Sequence, residues 1–282
     1  MVIVAVSDVH LGYEHSDYLV FSAFLDYIKA DDSVTHLVLL GDIVDMWRRD
    51  ASGVFLENRE IFDKIALLQK KMNVYYVAGN HDFHVNKLKN TLSYYHYPFE
   101  FNHHDCQVYN DCLIIKDGNR QYRFLHGHQF DLEQTEEMSD ALCRTMSDTV
   151  GDFESGVYAT FTRGWTDLHY FFARFFEKGK IRKKSEGLQI IPEKRLAVDK
   201  LDSVERTACS KVNDGEILVF GHTHKPFISA RENVVNTGSW VTEDSKNSHD
   251  TFVRFEANGP HLFEFKTAIN IPEIKIRKDC LK

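Results

Sequence analysis

The sequence predicts an α/β fold, a sandwich-like domain on a mostly parallel sheet. Three observations predict it. Short apolar runs alternate with helical patterns in the first half. Each apolar run is followed at once by a polar cluster. Strand-like runs then return in the last quarter of the chain.

Taken in order, Val2–Val6 reads as a fully buried strand. Residues 17–29 read as a helix, because Phe21, Phe24, Leu25 and Ile28 fall at i, i+3, i+4 and i+7. A strand is expected at His36–Leu40, a helix over roughly 54–72 and a strand at Val74–Ala78. Residues 112–125, CLIIKDGNRQYRFL, read as a hairpin about Asp117-Gly118-Asn119. Residues about 131–211 are charged, aromatic and helical in pattern, and they interrupt the strands. Strands resume at Glu216–Phe220, Val234–Val235, Thr251–Phe255 and, after Asn258-Gly259, at Leu262–Phe265. The whole of 1–282 is therefore read as a single domain with one helical insertion.

Bulk composition narrows the classes. Apolar residues make up 43% and charged residues 27% of the 282, as in soluble globular proteins. The formal net charge of −8 argues against a general nucleic-acid coat, which needs a basic excess. It leaves room for a metal that brings its own positive charge. The five cysteines, Cys106, Cys112, Cys143, Cys209 and Cys280, show no CxxC spacing and are expected to be free thiols. The sequence opens MVIVAVSDVH with no basic stretch and long apolar run, and no segment approaches 18 apolar residues. A cytoplasmic protein is expected.

The polar clusters carry the chemistry. Asp8 and His10 follow the first strand, and Asp42 and Asp45 follow the second, in GDIVD. Asn80, His81 and Asp82 follow the third, in GNHD. His126 and His128 follow the hairpin in HGH, and His222 and His224 follow Ile217–Phe220 in GHTH. Alone, each has an ordinary explanation: a surface turn for DVH, a helix cap for GDIVD, a Gly turn for HGH. Together they sit after five strands, and the carboxyl ends of parallel strands share one edge where ligands bind.

Asp, Asn and His together suit a divalent first-row metal such as Mn, Fe or Zn; an all-oxygen set would suit Mg or Ca. Asp8, His10, Asp42, Asn80, His126, His222 and His224 are too many for one ion, which takes about four to six ligands. They suit two ions about 3.5–4 Å apart sharing a carboxylate, with Asp42 the natural bridge.

DxH, GDxxD, GNHD, HG(H) and GHTH, in this order from Asp8 to His224, resemble the motif set of the calcineurin-like metallophosphoesterase superfamily. The resemblance implies a four-layer αββα sandwich with a two-metal site at one edge. It implies that Asp8, His10 and His224 hold one ion, that Asn80, His126 and His222 hold the other, and that Asp42 bridges. The ions would be Mn²⁺, with Fe, Zn or Ni as other choices. It implies that His81 contacts the substrate phosphate and protonates the leaving oxygen, with Asp82 orienting it. His128 is expected beside the site, and Asp45 is expected to fix a ligand imidazole. The reaction implied is hydrolysis of a phosphoester by a metal-bridging hydroxide, with no Ser or Cys nucleophile.

Trp47 in GDIVDMWRRD and Phe83 after GNHD look like the branch of UDP-2,3-diacylglucosamine hydrolases, which cut a nucleotide-sugar pyrophosphate. That branch usually has GNRD where this chain has GNHD, and an acid where His128 stands. The substrate expected is a phosphodiester or pyrophosphate, amphiphilic or nucleotide-containing. Phosphomonoesterase and nuclease activity are the alternatives within the superfamily, and a non-catalytic scaffold is the alternative outside it.

Within the insertion, 161–184 reads FTRGWTDLHYFFARFFEKGKIRKK. As a helix it would set Trp165, Leu168, Phe172, Phe175 and Phe176 on one face, above a basic end at Arg174, Lys178, Lys180, Arg182, Lys183 and Lys184. Three readings stay open: packing on the domain or against a second copy in a homodimer, a lid or peripheral membrane contact for an amphiphilic substrate, and a single-strand nucleic-acid contact.

Overall fold

The computed structural model describes residues 1–49, 51–83, 85, 112–130, 204–242 and 249–266. Most of the expected insertion at 131–211, including 161–184, lies outside the described residues; 204–210 are helical.

Among the described residues, ten strands form two five-stranded sheets. The first has the order β10-β9-β1-β2-β3, built from β1 (Ile3–Val6), β2 (His36–Leu40), β3 (Asn73–Val77), β9 (Thr251–Glu256) and β10 (Gly259–Glu264). Here β1, β2 and β3 run parallel, with Ile3 opposite His36 and His36 opposite Asn73. Strand β9 lies antiparallel to β1, and β10 closes a hairpin on β9. The second sheet has the order β4-β5-β6-β8-β7. It comprises β4 (Cys112–Asp117), β5 (Arg120–Leu125), β6 (Glu216–Phe220), β7 (Phe227–Ile228) and β8 (Val234–Asn236). Strands β5, β6 and β8 are parallel neighbours.

Period-two alternation sorts the strand residues into layers. Ile3 and Ala5 of β1 face Tyr122, Phe124 and Val219 across the space between the sheets. Val4 and Val6 point the other way, into a cluster with Phe21, Phe24, Leu25 and Ile28 of helix α1 (Tyr18–Ala30) and Ile61, Phe62, Ile65 and Leu68 of a further helix, Arg59–Gln69. Leu218 and Phe220 of β6 turn outward onto Val204 and Ala208 of the helical 204–210 stretch. Three apolar clusters between four layers are the αββα sandwich that the motif set implied. The core is dense in aromatics. Trp240 is fully buried, with its ring 5.2 Å from Phe21 and 5.0 Å from Phe24.

Two expectations are corrected. The helix expected over 54–72 is two helices, α2 (Ala51–Glu57) and α3 (Arg59–Gln69). They break at Asn58, whose side-chain amide donates to the Val54 carbonyl at 2.8 Å and competes with the backbone ladder. The cysteines are not all free: Cys112 is disulfide-bonded and Cys209 is free. The short strand β7 had no signal in the sequence, since two residues show no period. Among the described residues no helix is long and apolar enough to cross a membrane.

Candidate metal centre

Strands β1, β2 and β3 end at Val6, Leu40 and Val77, and β5 and β6 end at Leu125 and Phe220. Because each trio or pair is parallel, the polar clusters that follow are delivered to one edge of the sandwich. Backbone hydrogen bonds then lace the loops together. Asp8 N–H donates to Gly41 O at 3.0 Å, His10 N–H to Asp42 O at 2.9 Å, and Gly221 N–H to His126 O at 2.9 Å.

The local backbone is strained where the candidate ligands sit. Asp8, His10, Asp42, His222 and His224 have φ of +54°, +52°, +52°, +66° and +56°. Non-glycine residues in this region cost on the order of 1–3 kcal/mol each, and such strain gathers at functional sites. Two glycines make room for the carboxylates. A Cβ on Gly79 would lie 2.2 Å from Asp42 Oδ1, and one on Gly221 would lie 2.3 Å from Asp8 Oδ2. The glycines of GNHD and GHTH thus let neighbouring loops bring in Asp42 and Asp8.

Two triads result, each with ligand atoms within 4.8 Å of one another: Asp8 with His10 and His224, and Asp42 with His126 and His222. His224 Nε2 is 3.3 Å from Asp8 Oδ1, and His126 Nε2 is 3.1 Å from Asp42 Oδ2. The triads meet through Asp42, whose Oδ2 is also 3.8 Å from His10 Nε2. His126 Nε2 in turn is 4.0 Å from Asp8 Oδ1.

The outward-facing atoms of these side chains are already engaged. His126 Nδ1 donates to Leu40 O at 3.1 Å, which turns Nε2 toward the carboxylates. His10 Nδ1 is 3.0 Å from Asp45 Oδ2. Asp8 Oδ2 accepts the His222 N–H at 2.9 Å and the Ser7 hydroxyl, and Asp42 Oδ1 accepts the His81 N–H at 2.8 Å. Such contacts fix ligand orientation and tautomer. The inward atoms are the ones left over. Asp8 Oδ1, His10 Nε2, Asn80 Oδ1 and His126 Nε2 are all buried and make no well-formed hydrogen bond, although His126 Nε2 lies close to Asp42 Oδ2 and Asp8 Oδ1 close to His224 Nε2. A buried unsatisfied polar atom costs roughly 1–3 kcal/mol, and four of them in one site fit divalent cations as the missing partners.

The electrostatics agree. Burial by itself would raise the Asp42 carboxyl, but His126, His81 and His10 hold it well below the usual carboxylate range. Burial by itself would lower His126, but Asp42 and Asp8 push it up to about 10. The site concentrates carboxylate charge that a cation can take over.

The GNHD loop departs from one expectation. Asp82 was expected to orient His81, yet its carboxylate is used elsewhere. Oδ1 accepts Gly79 N–H at 2.5 Å, while Oδ2 accepts Ile43 N–H at 2.8 Å and the Tyr76 hydroxyl. Asp82 is fully buried and fastens the loop to the start of GDIVD. The carboxylate beside His81 is Asp45, whose Oδ1 is 3.1 Å from His81 Nδ1. Asp45 also fixes the His10 imidazole, as expected from its place in GDIVD. His128 is buried, with its ring 5.6 Å from that of His126.

A cavity of about 110 Å³ opens over the two triads, lined by His10, Tyr13, Asp42, Arg48, His81, His222, His224 and Val241. Sequence reasoning missed Tyr13, Arg48 and Val241. Arg48 stacks its guanidinium 4.1 Å over the Tyr13 ring and pairs with Asp45. The only signal for Arg48 was its closeness to GDIVD. Trp47, noted in the sequence, stacks on the His81 ring at 4.1 Å.

Comparison with known proteins bears on this geometry. The family model for calcineurin-like phosphoesterases matches residues 1–226. UDP-2,3-diacylglucosamine hydrolase of Shewanella piezotolerans is 33% identical over 79 residues, which are 28% of this chain and 32% of that protein. The enzyme of the same name from Psychromonas ingrahamii is 31% identical over 85 residues, 29% of this chain and 34% of that protein. The chain thus matches about a third of the length of these curated relatives. Among solved structures, the phosphoesterase Yfce of E. coli aligns with 96% of each chain at 14% identity and a TM-score of 0.45. A dimetal phosphatase of Danio rerio aligns with 94% of this chain and 99% of its own at 13% identity and a TM-score of 0.41. With the match running from the first strand through the GHTH loop, the chain belongs to the calcineurin-like phosphoesterase family.

Proposed function

We propose that the protein hydrolyses a phosphodiester or pyrophosphate with two divalent cations, within a single domain in which about 131–211 is an insertion. Asp8, His10 and His224 would hold one ion, Asn80, His126 and His222 the other, and Asp42 both. The observation that carries the reading is the set of four buried atoms, Asp8 Oδ1, His10 Nε2, Asn80 Oδ1 and His126 Nε2, that converge on the site without a well-formed hydrogen bond. Mn²⁺ is the first ion to test, and Fe, Zn and Ni suit the same nitrogen and oxygen donors. When bound, such a pair supplies an ionised water and positive charge for the phosphoryl oxygens.

The chain's own residues do the rest. His81 lines the cavity and has Nδ1 beside Asp45, so Nε2 is the nitrogen from which it protonates the leaving oxygen. Trp47 stacked on the ring limits its rotation. Arg48, at the cavity wall, offers the donors of its guanidinium to a substrate oxyanion. The substrate class we favour is a nucleotide-linked pyrophosphate like that named for the two similar hydrolases, supported by their matches of about 80 residues each.

The test is an activity panel on the full chain: a nucleotide-sugar lipid, cyclic nucleotides, DNA, a phosphomonoester and a chromogenic bis-aryl phosphate. EDTA should abolish activity and Mn²⁺ should restore it, with the pyrophosphate preferred. Full activity in a metal-free preparation would end the metal reading. A preference for the monoester would overturn the substrate reading alone.

A further inference from the structure

We propose that Asp17, His249 and Asp250 form another cation site, which takes one divalent first-row ion and shares no residue with the centre described above. One ligand atom from each of the three lies within 4.8 Å of the others, close enough for a single ion. One imidazole with two carboxylates is a mixed donor set that suits Mn²⁺ or Zn²⁺, whereas Ca²⁺ and Mg²⁺ favour oxygen alone.

Asp250 and His249 each keep one buried polar atom without a hydrogen bond. Asp250 is only 8% exposed, and its Oδ1 is buried with no hydrogen-bond partner. Its Oδ2 lies 3.5 Å from His249 Nε2, and His249 Nδ1 is likewise buried without a partner. Asp17 occupies the N-cap position of α1, yet its side chain makes no capping hydrogen bond. Burial and the negative charges of Asp17 and Glu264 push the Asp250 carboxyl up to about 8. A cation would replace that proton and relieve the repulsion.

The backbone holds the three residues in place without the ion. Asp17 N–H donates to Trp240 O at 2.8 Å, and Asp250 N–H donates to Ser239 O at 2.8 Å. Phe265 N–H donates to Asp250 O at 2.7 Å. Asp17 and Asp250 are thus fastened to consecutive residues of one segment. The same Trp240 donates its own N–H to Asp8 O at 3.0 Å. An ion here would tie the start of α1 to the start of β9 and brace the segment that supports Asp8. Its role would be structural.

The experiment counts metal. The full chain, stripped with EDTA, is dialysed to equilibrium against Mn²⁺, and bound manganese is measured by mass spectrometry. Asp250→Asn and His249→Ala should each bind one equivalent fewer than the wild type and keep its hydrolysis of a bis-aryl phosphate. Asp42→Asn, which alters the other centre, should retain the equivalent that Asp250→Asn loses. His249 is partly exposed, so its replacement keeps the test sound if Asp250→Asn folds poorly. Equal manganese in the wild type and His249→Ala would overturn the proposal. The result is a difference between variants, so it does not depend on how many ions the first centre holds.

Discussion

His81 Nδ1 lies 3.1 Å from Asp45 Oδ1. The other oxygen of the same carboxylate lies 3.0 Å from His10 Nδ1. One buried group therefore orients two imidazoles with different tasks, one in the candidate ligand set and one at the cavity wall. Burial by itself would raise the Asp45 carboxyl, but His81 and His10 hold it well below the ordinary range.

Asp45→Asn is the sharpest test of that relationship. It keeps the shape, removes the charge and sets an amide N–H against one imidazole. Outer contacts of this kind cost about 10–100-fold in metal affinity or activity when lost. Turnover should fall by that order, together with weaker metal binding through His10. Normal kcat and normal metal content in Asp45→Asn would mean that neither imidazole depends on it.

Asp82→Asn should behave differently. Asp82 accepts the Gly79 and Ile43 amides and the Tyr76 hydroxyl, and it anchors the loop rather than the His81 imidazole. Losing one of these bonds inside the protein costs roughly 1–3 kcal/mol, so Tm should drop while kcat per folded molecule changes little. If kcat fell as far as in Asp45→Asn with Tm unchanged, Asp82 would be the residue that orients His81 after all.

His81→Ala removes the proposed proton donor and leaves both triads intact. General acid catalysis contributes about 10²–10⁴-fold, and a fall in kcat of that order is expected with metal content unchanged. Loss of metal along with activity would make His81 a ligand. The effect should also be smaller on a substrate whose leaving group needs no proton, which separates a proton-transfer role from general damage.

Much of this was legible in the sequence, and the reason is periodicity. Ile3, Ala5, Val4 and Val6 announce a strand buried on both faces, and Phe21, Phe24, Leu25 and Ile28 announce a helix on it. The ligand candidates could be found because each sits just past such a strand. The Asp45–His81 contact could not be found that way. Asp82 is adjacent to His81 in the chain, and sequence adjacency favoured it. Only the parallel β2–β3 pairing brings the GDIVD loop beside the GNHD loop. Tyr13, Arg48 and Val241 escaped for the same reason, since they reach the cavity from three loops with no shared pattern.

Gly79→Ala should be severe although it adds one methyl group. Its Cβ would fall 2.2 Å from Asp42 Oδ1 and 2.6 Å from Asp42 N, and the second of these is backbone that cannot rotate away. Overpacking of this kind costs about 1–3 kcal/mol and here displaces the shared carboxylate. Both Tm and bound metal should drop. A variant with wild-type metal content would show that the two loops can part without cost.

The stability of the metal-free chain should depend on pH through Asp250. Burial, Asp17 and Glu264 push its carboxyl from 3.8 up to about 8. Between those values the folded chain keeps a proton that the unfolded chain releases. The folded state then binds more protons, so stability falls as pH rises, and it does so until the folded carboxyl has ionised. In EDTA, Tm of the wild type should decline between about pH 5 and about pH 8 more steeply than that of Asp250→Asn, whose amide does not titrate. Above the folded pKa the two curves should have the same slope, with the wild type lower, because its carboxylate is then charged and repelled by Asp17 and Glu264. Added Mn²⁺ should reverse the decline in the wild type and leave in Asp250→Asn only the gain due to the other centre. Parallel curves in EDTA would show that Asp250 titrates as an ordinary carboxylate, free of the repulsion that the fold implies.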